Sequence, residues 1–300
     1  MTPRREMTMN ALASKLMDRG FAAVFVAGML SVLCVTTLTS GRTDQPRNSE
    51  RMQSVKHLTD FPVIEFRRYT IREGERQHFA QYFESYFPEA FEQLGAIALG
   101  HFFERNNQVA FTWMRAFHSM DDRAKINALF YYGPLWREHA RTLNTLMVDS
   151  DNVLLLRPLS PERGVNVLPA VDPVTEPNGA QGVVVAEIFA IKPNAVESFA
   201  RAAEATFADY RNAGMREAGV LVTLDAQNNF PQLPIRTDGS YLVWLGIASD
   251  DKKRETAFAP LVERSSKSLF ATDLLRAEPE IVILDPTKRS RLRWIADDLK

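Results

Sequence analysis

Cysteine is almost absent from this chain: Cys34 is the only one in 300 residues. The body that follows it therefore has no disulfide framework and no thiolate nucleophile. Neither a G-x-S-x-G elbow nor a phosphate-cradling P-loop occurs, which removes the commonest acyl- and phosphoryl-transfer signatures. Histidine is scarce as well. All five, His57, His78, His101, His118 and His139, fall in the first half, and none pairs with a carboxylate or another histidine at ligand spacing on a recognisable scaffold. Neither a metal nor another cofactor is expected. An excess of charge of one sign is also missing, since 36 Lys and Arg face 37 Asp and Glu. With no basic stripe, nucleic acid is not an expected partner. The one basic cluster, Lys288, Arg289, Arg291 and Arg293, lies in the terminal segment 287–300, which reads as a solvated, frayed tail.

One stretch lacks charge altogether. Gly20 to Gly41 carries no ionisable side chain other than Cys34, is apolar all round, and follows Arg4, Arg5, Lys15 and Arg19. About 20 such residues span a bilayer core, and flanking positive charge stays on the cytoplasmic side. Residues 1–51 thus read as a signal-anchor or signal peptide, with a membrane tether through 20–41 and an anchored or exported protein. Met52 offers the other reading, an overcalled start and a cytoplasmic protein.

What is present is a duplication. The run from Val63 to Pro158 and the run from Val184 to Pro286 share one order of elements. Glu65 aligns with Glu187, Ile71 with Ile191, Phe79 with Phe199, Gly100 with Gly219 and Trp113 with Trp244. Asp121-Asp122 aligns with Asp250-Asp251, and Pro158 with Pro286. The spacing drifts from 119 residues (Gly100 to Gly219) to 131 (Trp113 to Trp244), far beyond the roughly 20 to 50 of solenoid repeats, so the unit is a whole domain. Branched and aromatic residues predict strands at 63–71, 97–104, 108–117 and 152–156. Helical spacing of Phe79, Tyr82, Phe83, Tyr86 and Phe87 predicts a helix to about residue 93. A second helix opens at Asp121-Asp122, breaks at Gly133-Pro134 and resumes. The second half repeats this: strands 183–192, 217–225, 240–248 and 280–285, helices 195–213 and 250–273.

The order β-α-β-β-α-β is the split βαβ, ferredoxin-like unit, and the fold class is α+β. Such a unit covers only one sheet face with helices and must bury the other against a partner. In the strand ending at Phe117, Phe111, Trp113 and Arg115 alternate with Thr112, Met114 and Ala116, so both faces are largely apolar. The economical solution packs the two repeats sheet to sheet as one intramolecular α/β-barrel. The expected divisions are 62–158 and 183–286, with 159–182 as a linker. Its stretch from Ser160 to Gly182 holds four prolines and three glycines and reads as extended and exposed.

Residues 63–158 resemble the NIPSNAP family, part of the dimeric α/β-barrel group. The resemblance rests on Glu65-x-Arg67-x-Tyr69-Thr70, Gly74, Asn107-x-Val109, Trp113, Phe117-x-Ser119-Met120-Asp121-Asp122-Arg123 and Gly133-Pro134-Leu135-Trp136. The second half resembles a divergent member: it lacks the Pro-x-Trp segment, and Tyr69 falls on Phe189 or Ile191 according to the gap. The resemblance implies a ferredoxin-like barrel without a settled activity, hence a small-ligand-binding or scaffold protein, with protein partners or a homodimer as further associations. The alternative is a cofactor-free, monooxygenase- or isomerase-like enzyme with a polar site inside the barrel.

Glu65, Arg67 and Tyr69 alternate and share one strand face. Together with Trp113 and Arg115 they are the candidate site: Arg67, Trp113 and Arg115 to hold an anionic or carbonyl-bearing ligand, Glu65, Tyr69 and His101 to move a proton. The competing reading is a self-paired ion cluster that fixes strand register.

Overall fold

The structure is a computed structural model that describes residues 61–296. The proposed membrane segment 20–41 and the start at Met52 lie outside these residues. Among the described residues no helix is long and apolar enough to cross a membrane.

Eight strands form one closed barrel in the order β1-β3-β2-β8-β5-β7-β6-β4, with all neighbours antiparallel. The first half supplies β1 (Val63–Ile71), β2 (Ile97–Glu104), β3 (Ala110–Phe117) and β4 (Met147–Pro158). The second supplies β5 (Val183–Ile191), β6 (Arg216–Thr223), β7 (Ser240–Ala248) and β8 (Glu280–Pro286). Closure comes from two short crossings, β2 with β8 and β4 with β6. The open face of each half is thus covered by the other, as the alternation on β3 requires.

The helices lie outside this barrel. In the first half they are α1 (Arg76–Tyr86), α2 (Pro88–Leu94), α3 (Met120–Tyr131) and α4 (Pro134–Leu146). The expected first helix is split because Pro88 has no amide to donate to the turn before it. Ser119 caps α3 by accepting from the Asp122 amide, with Asp121 and Asp122 in the first turn, where negative charge suits the helix dipole. The second half has α5 (Val196–Asn212), then α6 (Asp251–Lys253), which runs through a π-helical turn (Arg254–Phe258) into α7 (Ala259–Phe270).

Period-2 alternation decides what enters the lumen. Ile64, Phe66, Met114 and Leu156 point inward and meet Val184, Val243, Leu245 and Leu284 of the other half in one apolar core. Val63, Tyr69, Trp113 and Phe117 point outward, under α1 to α4. Val185, Phe189, Trp244 and Phe207 form the corresponding layer of the second half.

Two expectations fail at one mouth of the barrel. The linker is not simply extended and exposed, because Val165 is 2 % exposed and belongs to the lumen core. The basic tail is not frayed. The Leu292 amide donates to the Leu99 carbonyl, Leu292 is buried in the same core, and Arg289, Arg291 and Arg293 pair with Glu89, Glu92 and Glu176. Spacing of charges on the chain gave no sign that acidic partners wait roughly 100 to 200 residues away; long-range pairing overrode the local pattern.

Candidate functional site

The strand register brings the predicted residues together but turns them outward. Glu65 sits opposite Arg115, and Arg67 opposite Trp113, across β1 and β3. Their face is the one covered by helices, so the polar site is not inside the barrel, whose core is apolar. The sequence fixes which residues share a face but does not fix which face closes on the other repeat.

Glu65 is the hub. Its Oε2 accepts from Arg67 Nη1 at 2.8 Å and from Arg115 Nε at 2.7 Å, and its Oε1 accepts from Arg123 Nε at 2.6 Å. All four side chains are 0–1 % exposed. Burial alone would push the Glu65 carboxyl up, but the guanidiniums of Arg115, Arg67 and Arg123 hold it well below the usual carboxylate range. Arg67 Nε donates to the Tyr69 hydroxyl at 2.8 Å, and the Arg115 guanidinium lies 4.8 Å from the Phe91 ring and 5.2 Å from Trp113. Arg123, which sequence reasoning left out, arrives from the first turn of α3. The capping serine four residues before it was the available signal, because that cap sets which α3 residues face the sheet.

His101 does not join this group. Its Nδ1 lies 3.1 Å from Glu84 Oε1, and Glu84 also accepts from the Thr287 hydroxyl at 2.5 Å. That separate cluster ties α1 to the C-terminal segment.

The second half is built on the same plan with different residues. Trp244 lies opposite Glu187 as Trp113 lies opposite Arg67, so by register Glu187 stands where Arg67 does, not where Glu65 does. An ungapped shift of 120 residues follows, which places Phe189 at Tyr69 and Val185 at Glu65. The helix start shifts too. Asp250 caps through the Lys253 amide as Ser119 caps through the Asp122 amide, and the Arg254 and Arg123 amides each donate to their cap carbonyl. Asp250 therefore corresponds to Ser119 rather than to Asp121, and Arg254 to Arg123. Gly246 occupies the place of Arg115, and the Trp244 ring folds over the space its Cβ would need.

Val185, in the place of Glu65, borders open space, whereas the space beside Gly246 is taken by the Trp244 ring. A cavity of about 500 Å³ lies between β5, β8 and the π-turn with α7. Its walls are Val185, Phe258, Val262, Phe270, Ile281 and Ile283, with Arg254, Ser266 and Lys267 among the polar groups. Ser266 Oγ donates to Glu187 Oε1 at 3.0 Å, while Glu187 Oε2 is buried with no hydrogen-bond partner among the described residues. With no cation paired to it, Glu187 is pushed up to about 7 by burial, offset in part by the bond from Ser266 and the nearby Tyr210 hydroxyl. A π-turn bordering a cavity is a recurrent functional feature, because the wide turn displaces side chains from the regular helical face. This site has no signal in the sequence, because nothing in the 250–273 periodicity shows the extra residue in the turn.

The described residues contain no group of three or more His, Cys, Asp or Glu side chains placed to hold a metal ion.

Comparisons agree with the fold and the module. Residues 64–161 match the NIPSNAP family model, so the first half carries a NIPSNAP domain. No curated protein matches the chain. Among solved structures, an anthrone oxidase-like protein is 12 % identical and covers 79 % of this chain and 97 % of its own, at a TM-score of 0.53. A NIPSNAP-like domain protein from Burkholderia xenovorans is 23 % identical over 34 % of this chain and 88 % of its own, at 0.31. A NIPSNAP family protein from Agrobacterium tumefaciens str. C58 is 22 % identical over 33 % of this chain and 93 % of its own, at 0.30.

Proposed function

We propose that this NIPSNAP domain protein binds a small, largely apolar, uncharged molecule in the cavity of its second half. On this reading 62–158 and 183–286 are two copies of one module joined by 159–182. Under its helices the first copy carries the Glu65 ion cluster; the second has a ligand site in its place. The observation that carries the reading is the cavity itself. Its volume of about 500 Å³ falls within the roughly 300–1,000 Å³ of small-molecule sites. The cations at its edge are engaged already, Arg254 with Asp251 and Glu255, Lys267 with Glu263, and Glu278 adds a negative charge, so an anionic ligand is disfavoured. Ser266 and the buried carboxyl of Glu187 behind it provide the polar end, matching a hydroxyl or carbonyl on the ligand.

A second reading is a proton-transfer enzyme at the same cavity. It is favoured by the free Oε2 of Glu187 on a carboxyl titrating near neutrality, where general acid–base groups work best. The original catalytic candidates, Glu65, Tyr69 and His101, do not share a cavity and are not assigned that role.

The test uses the neutral dye Nile red. Binding to the protein at one molecule per chain, lost in Val262→Trp with thermal stability retained, upholds the site. Equal binding in both proteins, or none in the wild type, overturns it. Native mass spectrometry of protein isolated gently from its own host then gives the mass of any retained ligand.

A further inference from the structure

The first-half cluster is out of balance. Arg67, Arg115 and Arg123 all contact Glu65, and no other carboxylate of the described residues pairs with any of them. Asp151 acts on Arg67 from a longer distance, but Arg115 and Arg123 have Glu65 alone, so positive charge is left uncompensated in a site with essentially no solvent exposure. The neighbouring phenol of Tyr131 cannot supply the missing anion, because burial raises its pKa further. A buried charge without a counter-charge is strongly disfavoured, so uncompensated positive charge calls for an anion.

Donors for it are present and unused. Arg115 Nη1 and Nη2, Arg123 Nη2, Trp113 Nε1 and Asn127 Nδ2 are buried without a hydrogen-bond partner among the described residues. The rest of each guanidinium is spoken for. Arg115 Nε is bound to Glu65 while aromatic rings lie near its guanidinium, and Arg123 Nη1 donates to Asn228 Oδ1 and Asn229 Oδ1 at 3.1 and 2.9 Å. Those asparagines belong to the β6–β7 loop, where Asn229 is exposed and donates to the Met120 carbonyl. Arg123 therefore sits under a cover contributed by the other half of the chain, whose Asn229 meets solvent.

We propose that Arg115 and Arg123, with Trp113 and Asn127, form a binding site for a small anion of halide or carboxylate class beneath the Asn228–Asn229 loop. Guanidiniums suit such ions because their N–H groups diverge in one plane and present several donors to one anion. The site is separate from the second-half cavity, so its test is independent of Nile red binding.

The experiment titrates the protein at pH 7 with sodium bromide, ionic strength being held with sodium gluconate, and follows the thermal midpoint. Crystals soaked in sodium bromide are measured at the bromine edge. The expected result is a saturable rise in midpoint for the wild type, absent in Arg115→Met, and an anomalous peak within hydrogen-bond distance of the Arg115 terminal nitrogens. Should Arg115→Met fail to fold, Trp113→Phe serves in its place and should weaken bromide binding several-fold. Competition by sodium formate assigns carboxylates to the site; bromide binding without competition confines it to monatomic anions, and both uphold it. A midpoint that does not saturate, or that responds identically in wild type and variant, with bromide only at the surface, overturns the proposal.

Discussion

Glu65→Gln is the sharpest perturbation available, because it removes one charge and almost no volume from the centre of a buried network. In the native protein Glu65 accepts three guanidinium N–H groups at 2.6–2.8 Å. Glutamine keeps one acceptor oxygen and turns the other position into a donor facing Arg123 or Arg67 and Arg115. Removing one partner of a buried ion pair costs about 3–5 kcal/mol, chiefly because the remaining charge stays buried. Here three cations lose their shared anion, so the upper part of that range is expected, about 4–5 kcal/mol. That is a large fraction of the roughly 5–15 kcal/mol that holds a domain together. Urea unfolding followed by tryptophan fluorescence reads it directly: with a slope of about 3 kcal/mol per molar, the midpoint falls by about 1.5 M. The pH dependence supplies an internal control. Because the folded-state pKa of Glu65 is depressed, its contribution is complete above the unfolded value of 4.5 and is lost as pH falls toward the folded value. The gap between wild type and Glu65→Gln should be constant from pH 6 to 8 and shrink below about pH 4.5. A loss under 1 kcal/mol at pH 7, or a gap that does not narrow in acid, would refute the account of Glu65 as the anion binding this layer together.

Three further outcomes follow from other parts of the molecule. Glu187 has the opposite sign: its folded pKa is raised from 4.5 to about 7, so the folded state is favoured at low pH and loses stability as pH rises through that window, then levels off. The span corresponds to about 3 kcal/mol, and Glu187→Gln should abolish the slope and be the more stable protein at pH 8 by that order, as calorimetry at pH 5 and pH 8 would show. Leu292→Ala should cost about 2–5 kcal/mol in chemical unfolding, since Leu292 is 2 % exposed in the lumen core; a change near zero would return the tail to the frayed state. Gly246→Ala should destabilise and alter the near-ultraviolet signal of Trp244, because its Cβ would meet the indole ring; unchanged spectrum and midpoint would contradict the close packing there.

Much of the architecture was legible because it depends on short periodicities. Alternation on β3 announced two covered faces, Gly133-Pro134 announced a helix break, and duplication announced the partner that closes the barrel. Long-range choices were not legible. Whether Glu65 and Arg67 looked into the lumen or under the helices depends on which sheet face meets the second repeat, and both faces of β3 are apolar enough for either. His101 was misplaced for the same reason: its strand was right, but Glu84 and Thr287 are brought beside it by α1 and by a segment 186 residues later.

The register also alters how the duplication reads chemically. Matching Glu65 to Glu187 by identity made the second copy look like a weakened version of the first. Matching by strand partners instead puts Glu187 at Arg67, Val185 at Glu65, Gly246 at Arg115 and Arg254 at Arg123. The same location under the helices then holds three guanidiniums around one carboxylate in one half and a lone buried carboxyl beside an apolar cavity in the other. The two locations share a scaffold but differ in charge, so the two proposed sites call for ligands of unlike chemistry. A double variant tests that independence: Glu65→Gln with Glu187→Gln should change stability at pH 7 by the sum of the single effects to within about 0.5 kcal/mol, as expected for separated sites with no shared partners. Coupling well beyond that figure would mean that the two layers communicate through the barrel wall, and that the halves do not act as separate sites.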